Sequence, residues 1–115
     1  MRNVSLRLYK VGRNLDIDES GDLVIAGNRP CFGWSITNLD ATTIYLKLYD
    51  KATAPASTDT PKLTIPIATG VISVVEIMGG IEFKLGIGVR ATTSIADDHN
   101  VGPGANEVAG QILYL

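Results

Sequence analysis

One cysteine, Cys31, and one histidine, His99, are all that this 115-residue chain offers of the residue types most used for nucleophilic and metal chemistry. A lone cysteine excludes an internal disulfide, is compatible with assembly in a reducing cytoplasm, and favours a structural thiol. A lone histidine leaves a Ser, Cys or Thr nucleophile short of its usual base. The neighbours Asp97, Asp98 and Asn100, ahead of Gly102-Pro103-Gly104, make His99 part of a solvated polar loop. Cys31 and His99 could meet in space, but nothing local supports a catalytic pair. An excess of one charge is also missing: 10 Lys and Arg against 12 Asp and Glu give a net charge of −2. No electrostatic footprint for nucleic acid or an anionic membrane is expected from that balance.

Long apolar runs are absent as well. None approaches the roughly 20 residues needed to span a bilayer. The opening Met1-Arg2-Asn3-Val4-Ser5-Leu6-Arg7-Leu8 interrupts its apolar residues, so no signal-peptide core is expected and the protein should be soluble. Helical periodicity is missing too: apolar positions do not recur at i, i+3, i+4 and i+7 in preference to alternation. Twelve glycines and five prolines punctuate the chain too often for long helices.

What the sequence does contain is alternation, the signature of half-buried strands, whose successive side chains point to opposite faces. Val4, Leu6 and Leu8 oppose Ser5, Arg7 and Tyr9; Ile44, Leu46 and Leu48 oppose Tyr45, Lys47 and Tyr49. Leu63, Ile65 and Ile67 alternate with Lys62, Thr64 and Pro66, and Pro66 marks an edge strand because it has no N–H for a ladder. Residues 81–88 alternate around Ile81, Phe83, Leu85 and Ile87, and further strands are predicted at 22–26, 31–37, 71–77, 89–95 and 108–115. Turn signals separate these about nine strands: Glu19-Ser20-Gly21-Asp22, Gly27-Asn28-Arg29-Pro30, Asn38-Leu39-Asp40, Met78-Gly79-Gly80 and residues 100–106. Residues 51–61, poor in large apolar side chains, read as a long surface loop.

The expected fold is therefore all-β: one domain over residues 1–115, an antiparallel two-sheet β-sandwich, jelly-roll-like, with residues 1–30 as N-terminal strands or an arm. Its core should include Leu6, Leu8, Ile44, Leu46, Leu48, Leu63, Ile65, Phe83, Leu85 and Ile112.

Few constellations could carry chemistry. Asp16-Ile17-Asp18-Glu19-Ser20-Gly21 opens like an EF-hand loop, but Gly27 stands where that loop needs its bidentate Glu and the flanks read as strands. A polar hairpin turn is the favoured reading; a cation site of another kind, on Asp16, Asp18 and Ser20, is the alternative. Gly79-Gly80 and Gly86-Ile87-Gly88 lack the Lys-Ser/Thr of a P-loop and the strand-to-helix context of a dinucleotide fingerprint. No enzymatic activity and no cofactor are expected. Trp34, Tyr45 and Tyr49 fit either core and sheet-face packing or an interface patch, because aromatics are enriched at contacts.

Certain strings resemble a module of virion structural proteins from tailed bacteriophages and prophages. They are Phe32-Gly33-Trp34-Ser35-Ile36-Thr37-Asn38, then Tyr45-Leu46-Lys47-Leu48-Tyr49-Asp50-Lys51-Ala52-Thr53-Ala54-Pro55, Thr58-Asp59-Thr60-Pro61 and Leu63-Thr64-Ile65-Pro66. Gly80-Ile81, Phe83, Gly86-Ile87, Ala96-Asp97 and Ala105-Asn106-Glu107-Val108 continue the likeness, which puts the module at residues 31–115. The resemblance implies a β-sandwich subunit that builds or decorates a phage shell or appendage, with no catalytic residues to carry over. A head decoration (cement) protein is the leading expectation, a tail, baseplate or fibre module the second, and a carbohydrate-binding sandwich using Tyr45, Tyr49 or Trp34 the third. The implied partners are the major capsid protein or other virion proteins, and further copies in a homo-oligomer; nucleic acid and membrane are not among them. The implied location is the virion, assembled in the host cytoplasm. Val4, Leu6, Leu8, Trp34, Tyr45 and Tyr49 are the interface candidates. Residues 1–11 are either an arm reaching a neighbour or, as favoured by the need to bury Val4, Leu6 and Leu8, a strand of their own sandwich.

Overall fold

Eight strands make up the computed structural model, which describes residues 8–115. They are β1 (Lys10–Asn14), β2 (Asp22–Ala26), β3 (Arg29–Asn38), β4 (Ile44–Asp50), β5 (Leu63–Ile67), β6 (Ile72–Phe83), β7 (Gly86–Thr92) and β8 (Val108–Tyr114). Two four-stranded sheets result, in the orders β1-β8-β3-β6 and β2-β7-β4-β5, and every pairing is antiparallel. The two-sheet sandwich expected from alternation is therefore present. The expectations for Val4 and Leu6 lie outside the described residues.

The connectivity has a simple logic. β1 pairs with β8, β2 with β7, β3 with β6 and β4 with β5, so the pairs nest like the rungs of one long hairpin whose tip is the β4–β5 connection. Successive rungs alternate between the sheets, wrapping the hairpin into two layers. Between the layers, Ile44, Leu46 and Leu48 of β4 and Ile87, Val89 and Ala91 of β7 meet Trp34 and Ile36 of β3, Phe83 of β6 and Ile112 and Tyr114 of β8. Each fully buried aliphatic or aromatic side chain contributes roughly 1.5–3 kcal/mol, which is what holds two sheets together that share no ladder.

Several expectations are corrected. The residues Met78-Gly79-Gly80 do not end a strand. Gly79 and Gly80 take positive φ values of 82° and 78°, which lets the chain bulge outward between the Gly33–Glu76 and Cys31–Ile81 pairs and then rejoin β3. β6 thus continues to Phe83, and the turn falls at Lys84-Leu85, whose amides donate to the Asp50 carboxylate at 3.0 and 2.7 Å. Leu85 consequently sits at a hairpin tip, 57% exposed, instead of in the core. Leu8 is 79% exposed because the first described strand starts only at Lys10. Leu63 and Ile65 are half-buried, since β5 is a sheet edge, where the missing N–H of Pro66 leaves no gap in a ladder.

Candidate interaction surface

The outer faces of the two sheets differ. On the β2-β7-β4-β5 sheet, Lys47, Tyr49, Arg90 and Thr92 point away from the core, yet all are buried. Three loops roof them. Residues 15–21 are tied down by the Ala91 amide, which donates to Asp18 O at 2.9 Å, and by the Ile17 amide, which donates to Val108 O at 2.9 Å. Residues 51–61 fold back so that buried Pro55 lies over Gly88, and the loop is closed by a 2.6 Å Lys51–Asp59 ion pair. The third roof is residues 93–101.

Arg90 binds this roof to the sheet. Its Nε donates to Glu19 O at 2.8 Å, Nη1 to the Tyr49 hydroxyl at 3.1 Å, and Nη2 to His99 O and Asn100 Oδ1, both at 3.0 Å. Beside it, directly opposite in the ladder, Lys47 Nζ donates to Ala96 O at 2.5 Å. Burial and the neighbouring guanidinium hold the Lys47 ammonium below its usual range, opposed by Asp97 and Asp98. Two cations lie side by side against neutral carbonyls, an amide and a hydroxyl, and no buried side-chain polar atom among the described residues lacks a partner. The arrangement is a strap for loops, satisfied from within.

His99 lies in that roof, its Nε2 3.0 Å from Thr93 Oγ1, and the same hydroxyl donates to Val101 O at 3.3 Å. No carboxylate among the described residues is bonded to its other ring nitrogen, so the contact stitches one loop across a few residues. Cys31 is buried between the sheets, its thiol pushed up by burial against a smaller lowering effect of the Gly33 backbone, and the fold does not bring it to His99. The cation candidates are spent locally as well. Asp16 accepts the Asn106 amide at 2.9 Å, while Asp18 accepts both the amide and the hydroxyl of Ser20. Among the described residues no group of three or more His, Cys, Asp or Glu is placed to hold a metal ion.

Two of the aromatic interface candidates are buried. Trp34 packs in the core with Nε1 donating to Ser73 Oγ at 3.1 Å, and Tyr49 is closed in under the roof. Neither ring can be presented to a partner or a sugar. Tyr45 is half-buried between Pro66 and Thr92, and Leu8 is exposed.

The β1-β8-β3-β6 sheet turns a different face outward. Its outward row runs from Val11 and Arg13 through Leu113, Gln111 and Ala109, then Ser35 and Thr37, to Ile72, Val74 and Glu76. Val74 is 71% exposed, and Ile72 and Val11 are also open. Where the β6 bulge swings out, Tyr9 stacks on Phe32 at 4.9 Å, and Tyr9, Glu76, Met78 and Gly79 line an open depression of about 530 Å³. The signal for this surface was present in the sequence, as a stretch from Val71 to Met78 with apolar residues on both faces and no Pro, Lys or Arg. No family model, curated protein or solved structure matches this chain.

Proposed function

We propose that the chain is a non-enzymatic structural protein of a tailed-phage virion, a head decoration protein that lies on the capsid lattice and staples neighbouring subunits. The observation that carries this reading is the contrast between the two outer faces. One is sealed by loops strapped to buried Arg90 and Lys47; the other is open, nearly uncharged and partly apolar. A rigid plate with one adhesive side suits attachment to a surface. The nested strand order supports reading the sandwich as jelly-roll-like, an architecture that recurs in viral capsid proteins and also in lectins. Fold alone does not choose between such roles. The likeness of the string from Lys47 to Pro55 to phage virion modules supports the first, and burial of Trp34 and Tyr49 removes most of the stacking platform that the second needs.

The test is a reconstruction of the particle of the phage or prophage that encodes the chain. Density for this protein at regular positions over the head is the expected result. Density confined to the tail or baseplate would replace decoration by the tail reading, and a particle lacking the protein altogether would overturn the virion assignment.

A further inference from the structure

We infer that the edge of β6, which no strand among the described residues covers, is a self-pairing interface, on which a second copy of the chain docks antiparallel through residues 72–76 and continues the β1-β8-β3-β6 sheet across a two-fold axis. This deepens the oligomer implied above and rests on that reading only for what the dimer is for.

Among the described residues the sandwich has four sheet edges, β1, β6, β2 and β5, and unpaired strand edges invite pairing unless guarded. β5 carries Pro66. β2 is five residues long with a register shift between Leu23 and Ile25, and five-residue β1 carries Lys10 and Arg13. β6 lacks Pro, Lys and Arg over its 12 residues, exposes Ile72 and Val74, and keeps its register irregularity at Met78-Gly79-Gly80, outside residues 72–76.

The ladder shows which of its groups are free. The Asn38 amide donates to Val71 O at 3.0 Å and the Asn38 carbonyl accepts from the Gly70 amide at 2.8 Å, so Asn38 turns both backbone groups toward β6. Bonded pairs alternate along an antiparallel ladder, so Ile36–Ser73 and Trp34–Val75 are the next. Ile72, Val74 and Glu76 therefore turn their N–H and C=O groups away from β3, toward the open edge.

That segment is bracketed symmetrically about Val74. On one side it ends in the turn closed by the Val71 amide on Ala68 O at 3.1 Å, and on the other in the bulge at Met78-Gly79. A second copy, centred on the same residue, fits both brackets at once. Val74 then bonds Val74 of the second copy, and Ile72 bonds Glu76 of the second copy, so every free group in the segment finds a partner. The charge pattern agrees. Centring on Glu76 would set two carboxylates face to face, whereas centring on Val74 separates them by roughly 14 Å along the strand, beyond a Debye length of about 8 Å. In this register Ile72 of the second copy lies diagonal to Met78, over the depression lined by Tyr9, Glu76, Met78 and Gly79. An exposed apolar side chain on each copy meets a concavity on the other.

Two measurements on the full chain test this. Sedimentation equilibrium compares the wild type with Val74→Pro, which removes an edge N–H that β3 does not use. The variant should keep its circular dichroism and dissociate at least about tenfold more readily, the effect of losing a symmetric pair of backbone hydrogen bonds. Amide exchange should show Ile72, Val74 and Glu76 protected at high concentration and exposed on dilution, with Ser73 and Val75 protected throughout. Unchanged association of a folded Val74→Pro variant, or exchange at these amides that ignores concentration, overturns the inference. So does edge protection that persists in the dilute monomer and disappears when residues 1–7 are deleted, which would assign the edge to the chain's own N-terminal segment. A wild type that stays monomeric yet decorates heads sinks the dimer and leaves the proposed function standing. A β6-paired dimer missing from the particle does the reverse.

Discussion

Replacing Arg90 by Met keeps most of the side chain's volume and removes its guanidinium, so the change isolates the polar strap from the packing. The wild-type group is fully buried and donates to Glu19 O, Tyr49 Oη, His99 O and Asn100 Oδ1. Two effects oppose each other. Losing the donors weakens four contacts, each worth about 0.5–1.5 kcal/mol, or more where a charged donor is involved. Removing a buried cation also relieves its desolvation, which no carboxylate among the described residues offsets by direct contact. Glu19, His99 and Asn100 lie in the roof and can turn to water; the Tyr49 hydroxyl, beneath it, cannot. The donors should win, by about 3 kcal/mol net.

With an unfolding entropy of about 2.1 cal/mol/K per residue, that loss lowers the melting temperature of a 115-residue chain by about 12 °C. Urea titration should give a lower midpoint with an unchanged slope, because the core between the sheets is untouched. Amides of residues 93–101 should exchange faster than the global loss of stability accounts for. A variant as stable as the wild type would refute the strap and leave the roof held by apolar contacts such as those of Ile17 and Pro55.

Three further outcomes follow from the same structure. Lys47, held below its ordinary value of 10.5 by burial and Arg90, gives up its proton more readily in the fold than in the unfolded chain. Stability should therefore rise with pH as it climbs from the folded value toward 10.5, and Lys47→Met should abolish that rise in pH-dependent urea titrations. Asp40 is held down to about 2 by the Gly104 amide first, then by Glu107 and Thr42, so its contribution is full above 3.8 and is lost as pH falls from there through about 2. Asp40→Asn should flatten that part of the acid-denaturation curve. Truncating Leu46, fully buried between the sheets, should cost about 2–5 kcal/mol, and an unchanged thermal midpoint for Leu46→Ala would contradict its place in the core.

Alternation revealed one side of each strand well and said nothing about what lies over the other. Ile44, Leu46 and Leu48 were legible because a strand's period of two forces residues of one kind onto one face. The same reasoning grouped Tyr45, Lys47 and Tyr49 together but could not show that loops distant in sequence roof Lys47 and Tyr49. Burial of charge there depends on acceptors from Glu19, Ala96, His99 and Asn100, none of them neighbours along the strand. β1 escaped notice for another reason. Lys10-Val11-Gly12-Arg13-Asn14 carries a single large apolar residue, and its place is set by pairing with β8 and by Gly12 lying against Val24 of the facing sheet. Gly79-Gly80 looked like a turn because paired glycines usually are one; here ladder contacts on both sides of the bulge outweigh the local preference.

The two proposals constrain each other geometrically. Paired strands of an antiparallel ladder carry opposing side chains on the same side of the sheet, so a β6–β6 dimer would keep the open outer faces of both copies on one side and both roofed faces on the other. The adhesive surface would double without any new contact to the lattice. Tethering the second attachment to the first makes it effectively intramolecular, which can raise avidity by about 10²–10⁴-fold even when each face alone binds modestly. A nearly uncharged face of small and apolar residues is the kind of weak site that gains most from such linkage. Rigidity then matters as much as contact area, because two faces on a flexible plate would lose the gain to misalignment. On that reading the strap of Arg90 and Lys47, far from the open face, would serve attachment by keeping the plate stiff.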